Sequence, residues 1–532
     1  MSAKQGSRGL QFDEPSIFER GAEGRSGHSL PTLDVPEVSL EKTLGAFARA
    51  TPAGLPAVSE PEVMRHFTRL SQWNYSIDTN FYPLGSCTMK HNPRVNEWAA
   101  RLAGFAWLHP YAPARSIQGA LELMARLRDA LAEICGMDDV SLQPAAGAQG
   151  ELTGLMMIRA HHTKQGRSPR KVLIPETAHG TNPASCTLNG LVAVPFKSGE
   201  HGMCEPADVA KLIEAHKGEI AAIMITNPNT LGLFEKSIVD IAKMVHDAGG
   251  LVYGDGANLN ALMGRARPGD LGIDVMQFNL HKTFTTPHGG GGPGCGPVAF
   301  KSFLSPYQPS PVVVRRVGGT INSSTATPSG ETIYDLDDDR PDSVGRVRSF
   351  VGNFGMMVRA YTYVREMGPE GLKAATDLAV LNANYLAAKL KDVLPLAYDT
   401  ICMHEAIFSD RDLKKATGVQ TLDLAKRLID YGFHPPTVYF PLVVAGALMM
   451  EPTETETKQT LDWYIEAVRE IVAESKRDPE LVKKAPHDTR VARLDEARAA
   501  RKPVLRWSKS HAEASTSHAK LEAPPATHST EG

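Results

Sequence analysis

The sequence predicts an α/β protein with a largely parallel sheet, because short apolar runs alternate with amphipathic helices through its middle. Two of these runs end in groups of opposite charge. Residues 251–254 lead into Asp255, and residues 275–281 lead into Lys282, with a glycine-rich turn at 289–292 just after. The carboxyl ends of parallel strands border one crevice, so Asp255 and Lys282 are expected to face a common ligand.

Composition narrows the class of protein. The chain has 532 residues, which predicts two or more domains, and its net charge of -3 favours neither nucleic acid nor an anionic membrane as a partner. The longest apolar run, 440–450, is too short to span a bilayer. The first thirty residues mix both charge signs and lack the apolar core of a secretory signal. Six cysteines without a Cys-x-x-Cys pair indicate no metal site, no disulfide scaffold and a cytoplasmic location.

Residues 1–110 are predicted to form an N-terminal arm followed by a loop segment. The first sixty residues are rich in Pro, Gly and Ser, which is typical of an arm that stays mobile or wraps a partner subunit. The loop 80–93 contains two prolines, a glycine, small hydroxyl side chains and Lys90. Loops of this composition turn corners or line sites, and both interpretations stay open.

Residues 111–370 are predicted to form the large domain. It starts with a helix over 117–137, supported by a 3.6-residue apolar period. A Gly-Ala loop at 143–150 then leads into a second helix, where backbone N–H groups can bind an anion. The following pattern predicts strands at 171–174, 191–194, 220–225, 251–254 and from 275, with helices from 206 and over 237–247, the latter with Ser237 as N-cap.

The last third of the sequence shows a less regular alternation of strands and helices. Residues 310–343, with the acidic cluster 335–339, are expected to form a solvated loop. Two helices follow, the first ending at 367 and the second covering 372–394. A smaller C-terminal α/β domain is predicted over 371–505, with strands at 406–408 and 437–440 and helices over 421–431 and 454–476, and 506–532 is expected to be a disordered tail.

The residues at the predicted crevice match what pyridoxal 5'-phosphate requires. The cofactor needs a lysine for its Schiff base, an acid at the pyridine nitrogen, N–H donors for the phosphate and a flat group against the ring. Lys282, Asp255, the 146–149 loop and His179 supply one of each. Each alone has a structural explanation, and together they favour a cofactor site.

Long motifs in this chain resemble the P-protein of the glycine cleavage system, in particular the second subunit of its two-subunit bacterial form. The resemblance covers residues 10–505. It is carried by FYPLGSCTMKHNP (81–93), PAAGAQGE (144–151), ETAHGTNPAS (176–185), YGDGANLNA (253–261), DVMQFNLHKTFTTPHGGGGPGCGPV (274–298), GRVRSFVGNFGMMVRAYTYVREMG (345–368) and TVYFPLVVAGALMMEPTETET (437–457).

The resemblance implies the fold-type I, aspartate-aminotransferase-like architecture and the activity of a glycine dehydrogenase (aminomethyl-transferring). It implies that Lys282 binds pyridoxal 5'-phosphate covalently, that Asp255 pairs with the pyridine nitrogen and that His179 stacks on the ring. It also implies that the loop at Ala148 and Gln149 meets the phosphate. Thr283 is a further phosphate candidate, with a helix-cap role as the alternative.

The implied reaction decarboxylates glycine, releases carbon dioxide and transfers the aminomethyl group to the lipoyl arm of H-protein. The implied partner is a first P-protein subunit in a heterotetramer of two copies of each. The resemblance also places Cys87 and Thr88 at the border of the substrate channel. The glycine carboxylate has no assigned partner; Arg315, Arg346 and Arg348 are the candidates, each with a structural role as the alternative.

Two other interpretations remain open from the sequence. The first is another fold-type I enzyme, such as an amino-acid decarboxylase, aminotransferase or aldolase-like transferase, which shares the lysine and the acid but releases a free product. The second is a non-catalytic scaffold subunit with a degenerate site, against which the presence of Lys282 argues.

Overall fold

The structure is a computed structural model that describes residues 14–22, 24–51, 53–288, 294–321, 325–489 and 491–508, with the backbone alone over the described part of 318–331. The glycine-rich turn at 289–292 and the tail from 509 onward, both singled out in the sequence, lie outside these residues. The domain boundaries proposed from the sequence remain predictions.

A seven-stranded sheet forms the centre of the molecule. Its strands are β1 (Asp139–Ser141), β2 (Lys171–Pro175), β3 (Val192–Phe196), β4 (Ile220–Thr226), β5 (Leu251–Gly256), β6 (Val275–Phe278) and β7 (Val298–Phe300), in the spatial order β1-β7-β6-β5-β4-β2-β3. β3, β2, β4, β5 and β6 run parallel, whereas β7 is antiparallel to both β6 and β1. The predicted mostly parallel sheet is confirmed. β1 and β7, of three residues each, were not predicted, because so short a strand shows no period.

Helices cover both faces of this sheet. The helices are α1 (Leu40–Leu44), α2 (Glu60–Gln72), α3 (Arg94–Ala100), α4 (Ala103–Ala106), α5 (Gln118–Cys135), α6 (Gly147–Lys164), α7 (Thr181–Leu188), α8 (Pro206–Ala215), α9 (Ile238–Asp247), α10 (Phe354–Leu390), α11 (Arg411–Thr417), α12 (Thr421–Asp430), α13 (Lys458–Arg477), α14 (Pro479–Lys483) and α15 (Glu496–Arg501). β4 is buried along its whole length, with Ile223 in the core shared with α5 and Met224 in the core shared with α6. This explains why the strand is a continuous apolar run.

The predicted solvated loop over 310–343 is wrong. Residues Val312–Ile321 (β8) and Thr325–Asp337 (β9) form an antiparallel hairpin, and Asp335, predicted to be solvated, is only 4% exposed. Two contacts with α5 hold the hairpin. The Gln118 side chain bonds both the N–H and the carbonyl of Tyr334, and Arg128 donates to the carbonyl of Val313. These tertiary contacts have no local sequence signal.

The two helices predicted on either side of Met367 are confirmed. α10 is interrupted at Gly368, whose φ of 60° is not helical and which precedes Pro369. The following three-stranded sheet has the order β10-β12-β11, with β10 at Ala406–Ser409, β11 at Thr437–Val438 and β12 at Ala447–Met450. β12 was not predicted. β11 is shorter than the predicted 437–440 because Tyr439 has a φ of 56°, which an extended strand does not accommodate.

The start of the described chain is tied down at one point. Glu14 is buried and accepts hydrogen bonds from His66 and Arg69 of α2. Further along the arm, apolar side chains such as Leu33 and Phe47 are exposed. Whether this arm contacts a partner subunit stays a prediction. Within the described residues, we find no helix with the length and apolar character that crossing a bilayer requires.

Candidate active site

Asp255 and Lys282 lie at neighbouring strand ends, as predicted. β5 and β6 are parallel neighbours, and Asp255 near the end of β5 is in register with Gln277 of β6. The chain leaves β6 after Phe278 and reaches Lys282 four residues later. Both strands end at the same edge of the sheet, so the acid and the lysine lie at one edge, and the common crevice stays a prediction.

Four donors surround the buried Asp255 carboxylate. Its Oδ2 accepts from His179 Nδ1 at 2.8 Å and Asn182 Nδ2 at 3.1 Å, and its Oδ1 accepts from Gln277 Nε2 at 2.5 Å and Ala257 N at 3.0 Å. Burial alone raises the pKa of this carboxyl, but the charge and hydrogen bond of His179, together with the other donors, lower it below its ordinary value. Asp255 is therefore ionised at neutral pH, as an acid that holds a protonated pyridine must be.

His179 connects Asp255 to the loop 80–93. Its Nδ1 faces Asp255, and its Nε2 contacts the hydroxyl of Ser86. The ring lies nearly parallel to that of Phe440, at a centroid distance of 6.0 Å and an interplanar angle of 12°. Both ring nitrogens are thus fixed, and the plane of the imidazole is set by its partners.

Lys282 contacts the same serine. Its Nζ donates to the carbonyl oxygen of Ser86 at 2.9 Å. Ser86 has a φ of 61°, an uncommon conformation for a residue with a side chain. The loop is held there by the three-stranded sheet of β10, β12 and β11 (the small sheet). Leu84 forms a bridge with Met450, and the Thr437 hydroxyl donates to the carbonyl of Gly85. Of the two interpretations of this loop, the structure supports the one in which it lines a site.

The groups predicted to bind a phosphate lie at the start of α6 and next to Lys282. Ala148 and Gln149 are in the first turn of α6, where N–H groups have no partner within the helix. The Gln149 side chain itself is occupied, accepting from Ala145 N and donating to the carbonyl of Val347. The Thr283 hydroxyl is fully buried and has no hydrogen-bond partner in the described part of the chain. A buried hydroxyl in that state fits a phosphate-binding role, whereas the helix-cap alternative has no bond to support it.

Comparison with known proteins identifies the family. The probable glycine dehydrogenase (decarboxylating) subunit 2 of Listeria monocytogenes serovar 1/2a is 54% identical over 502 residues, which cover 94% of this chain and 99% of that protein. The chain belongs to this family. The protein of the same description from Bacillus velezensis is 54% identical over 499 residues, covering 93% and 98%. A family model described as glycine dehydrogenase, C-terminal domain, matches residues 375–492.

Solved structures agree on the fold. The crystal structure of glycine decarboxylase (P-protein) of the glycine cleavage system, in inhibitor-bound form, superposes with a TM-score of 0.67 at 21% identity, covering 81% of this chain and 95% of that one. Aspartate aminotransferase of subgroup IV from Thermus thermophilus gives a TM-score of 0.53 at 13% identity, covering 74% and 99%. The resemblance to the P-protein family and the fold-type I architecture expected from the sequence are both confirmed.

A layer of polar residues behind Asp255 was not predicted from the sequence. Glu151 of α6 is buried and accepts from Thr181 Oγ1 at 2.7 Å, Asn182 Nδ2 at 3.0 Å and Ser185 Oγ at 3.2 Å. Burial, and then the charge of Asp255, raise the pKa of the Glu151 carboxyl to about 7. Asn182 therefore bridges two acids, one ionised and one that titrates near neutral pH. The motif PAAGAQGE contains this glutamate, but nothing in the sequence indicates that it faces Asp255.

A second unpredicted group lies across the loop, at one end of the small sheet. Ala406 of β10 pairs with Met450 of β12, so the residues just outside this pair, Glu405 and Glu451, come together. Glu405 Oε2 accepts from Ser86 N at 2.8 Å, and Glu451 Oε1 accepts from Thr88 Oγ1 at 2.5 Å. All three residues of the group His404, Glu405 and Glu451 are fully buried.

The arginines considered for the glycine carboxylate all have protein partners. Arg315 pairs with Asp129 at 2.9 Å, and Arg346 pairs with Asp338 at 2.8 Å. Arg348 donates to Asn353 Oδ1 at 2.9 Å. These contacts fit the structural alternative for each arginine. The role of a carboxylate-binding residue stays unassigned.

Proposed function

We propose that this protein catalyses the pyridoxal-phosphate-dependent decarboxylation of glycine and transfers the aminomethyl group to the lipoyl arm of H-protein, with release of carbon dioxide. The observation that carries the proposal is the Asp255–His179–Ser86–Lys282 arrangement, found in a chain 54% identical over nearly its full length to a probable glycine dehydrogenase (decarboxylating) subunit 2. A glycine decarboxylase needs a lysine and an ionised acid at one crevice, and both are present.

The residues present fit the cofactor. We assign Lys282 to the covalent attachment, Asp255 to the pyridine nitrogen and His179 to the ring face. The amides of Ala148 and Gln149 and the hydroxyl of Thr283 are assigned to the phosphate, supported by the lack of any other described partner for that buried hydroxyl. When bound, pyridoxal phosphate withdraws the electron pair left on the substrate carbon after carbon dioxide departs.

The chain's own residues prepare this step. Asp255 keeps its negative charge because four donors surround it, so it can hold a proton on a pyridine nitrogen. Ser86 holds the Lys282 ammonium through its carbonyl and the His179 ring through its hydroxyl, which keeps both groups oriented. Loop 80–93 therefore contacts the residues at the ends of two strands through this one serine.

The proposal includes two protein partners and a location. A relative described as subunit 2 supports the existence of a first P-protein subunit, and we propose a heterotetramer with two copies of each chain. Lipoylated H-protein is the proposed acceptor. All six cysteines lie in the described part of the chain as unpaired thiols, which supports a reducing, cytoplasmic location.

The test uses the complex with a first subunit and measures exchange of labelled carbon dioxide into glycine. We expect exchange that depends on added lipoylated H-protein, together with the visible absorbance of a lysine–cofactor imine. Lys282→Ala should abolish both signals. Lys301→Ala is the matched control, because Lys301 also follows a strand and donates to a backbone carbonyl, that of Gly136, at 2.7 Å. Turnover of another amino acid without H-protein would instead favour a different fold-type I enzyme.

A further inference from the structure

The group His404, Glu405 and Glu451 contains polar atoms whose role the cofactor site does not explain. Both ring nitrogens of His404, Oε1 of Glu405 and Oε2 of Glu451 are buried without a hydrogen-bond partner among the described residues. His404 Nε2 points between the carboxylates, 4.0 Å from Glu405 Oε2 and 3.9 Å from Glu451 Oε1. Unpaired atoms of this kind are costly in a protein interior, so a cluster of them indicates a site.

The spacing argues against a tetrahedral zinc ion. Ligand atoms around a tetrahedral zinc, at metal distances near 2.1 Å, lie roughly 3.3 Å from one another. The imidazole nitrogen of His404 is farther than this from both carboxylates. Each glutamate also has one oxygen engaged by the loop, through Ser86 N and Thr88 Oγ1. The oxygens nearest to His404 are therefore already used by the protein, which also does not fit tetrahedral zinc coordination.

A carboxylate oxygen of Glu405 lies within 4.8 Å of one of Glu451, and two carboxyl groups this close in a dry environment cannot both carry a charge at neutral pH. Burial, followed by the charge of Glu451, raises the pKa of Glu405 well above its ordinary value, and burial raises that of Glu451 to about 7. Burial lowers the pKa of His404 to about 3, so the imidazole is neutral. The other titratable groups that face the pair are Lys282, Lys90, Glu454 and His179.

We propose that Glu405 and Glu451 share one proton and deliver it to the sulfur atom that leaves when the lipoyl disulfide opens. The inference rests on the proposed function and names the acid that this reaction needs. The pair adjoins the reacting lysine: the peptide unit of Ser86 accepts from Lys282 through its oxygen and donates to Glu405 through its nitrogen.

The step balances in atoms and electrons. The carbon–carboxylate bond of glycine breaks, and its electron pair forms a bond from the same carbon to one lipoyl sulfur. The disulfide breaks, and its pair goes to the second sulfur, which leaves as a thiolate. This thiolate takes the shared proton, and the pair regains a proton from solvent. The glycine carbon is oxidised and the disulfide is reduced.

Cys87 is the competing donor near Lys282. Burial raises the pKa of its thiol above the ordinary value, so it holds its proton too firmly at neutral pH. An acid works best when its pKa lies near the working pH, which favours the glutamate pair. His179 is excluded because both of its nitrogens already have partners.

The experiment measures aminomethyl transfer to lipoylated H-protein in a single turnover as a function of pH, using the complex with its first subunit. The rate of the unmodified protein should stay level through neutral pH and fall only at alkaline pH, because the pair keeps one proton until the raised pKa of Glu405 is passed. In Glu405→Gln only Glu451 remains to carry the proton, and its carboxyl loses that proton as pH rises through about 7. We expect a rate at pH 8 lower by about 10-fold, because about a tenth of Glu451 is still protonated there, and a fall of the rate that begins at least about one pH unit lower than in the unmodified protein. Glu405→Asp should restore much of the limb.

A purely structural role predicts a different result. A glutamine at 405 can still accept the Ser86 N–H, so a residue that only holds the loop would leave the alkaline limb unchanged in Glu405→Gln, and that outcome overturns the proposal. Glu456→Gln is the matched control, because burial also raises the pKa of Glu456 to about 7 but it does not face the pair. Its pH profile should match that of the unmodified protein.

Two further measurements separate this proposal from the proposed function. The difference between the infrared spectra of the unmodified protein and of Glu405→Gln at pH 7 should contain the band of a protonated carboxyl, because Glu151 and Glu456 contribute equally to both proteins. Absence of this difference band, or one equivalent of metal lost in Glu405→Gln, overturns the shared proton. Failure of H-protein-dependent transfer with the band present overturns the proposed function, and with it the delivery step.

Discussion

Replacing Glu151 with glutamine should change how the stability of the protein depends on pH. The pKa of this carboxyl is raised from 4.5 to about 7 in the folded protein, which corresponds to about 3 kcal/mol. Because the folded pKa is the higher one, the protonated folded state is favoured at low pH, and this contribution is lost as pH rises from 4.5 to 7. The unfolding free energy of the unmodified protein should therefore decrease over that range.

Glutamine can keep all three contacts of Glu151. Its oxygen can accept from Asn182 and Ser185, and its amide can donate to the Thr181 hydroxyl, which changes from donor to acceptor. Relative to the unmodified protein, Glu151→Gln should gain about 2–3 kcal/mol between pH 5 and pH 8. Urea denaturation at each pH, followed by tryptophan fluorescence, measures the difference.

The control for this experiment is a carboxyl shifted in the opposite direction. Glu219 is exposed, and its hydrogen bond with Lys171 lowers the pKa of its carboxyl. Glu219→Gln should therefore lose stability, relative to the unmodified protein, as pH rises to about 4.5, and the difference should then stay level between pH 5 and pH 8. If the Glu151→Gln difference is independent of pH, or has the same sign as that of Glu219→Gln, the reasoning about burial beside Asp255 is wrong.

Three other substitutions test the candidate site. Asp255→Asn should lower the exchange rate at least about 100-fold and weaken the cofactor absorbance, because an amide cannot hold a protonated pyridine. The control is Asp274→Asn, which removes a comparable Asp–His pair at 2.7 Å and should leave the absorbance unchanged. Gly85→Ala should reduce the exchange rate and lower the free energy of unfolding by about 1–3 kcal/mol, because an added Cβ would lie 2.1 Å from a methionine side chain of β12. An unchanged thermal unfolding temperature would contradict this prediction. Thr283→Val should weaken cofactor binding about 10-fold, measured by titration, without lowering the stability of the protein. An equal loss of cofactor affinity in Thr286→Val would show that the loss is not specific to Thr283.

The sequence was sufficient where a local pattern determines the structure. The continuous apolar runs predicted β4 and β5, and the position of Gly368 before Pro369 divided α10 as expected. Because β5 and β6 were predicted to be parallel, Asp255 and Lys282 could be placed at the same edge of the sheet from the sequence alone. The contact between His179 and Asp255 supports the same prediction, because both residues follow predicted strands.

The sequence was insufficient where register or a distant contact determines the structure. Glu405 and Glu451 are 46 positions apart and meet only because β10 and β12 pair with Ala406 opposite Met450. The same applies to the hairpin, whose polar strands are held by side chains of α5. The Ser237 side chain, predicted as an N-cap, makes no capping hydrogen bond, although α9 starts at the next residue. A short polar residue before a helix thus predicts where the helix starts better than it predicts a capping hydrogen bond.

Ser86 connects the three parts of the candidate site, and its conformation explains how. Its hydroxyl contacts His179, its carbonyl accepts from Lys282, and its N–H donates to Glu405. A left-handed φ of 61° at this residue turns the three groups toward three different elements, at a conformational cost that the surrounding contacts must offset. A change at the end of the small sheet, such as loss of the proton on the glutamate pair, therefore alters a hydrogen bond only one peptide unit away from the lysine and the histidine. The acid pair and the cofactor-binding residues are thus parts of one hydrogen-bonded network, joined by a loop whose composition alone does not show it.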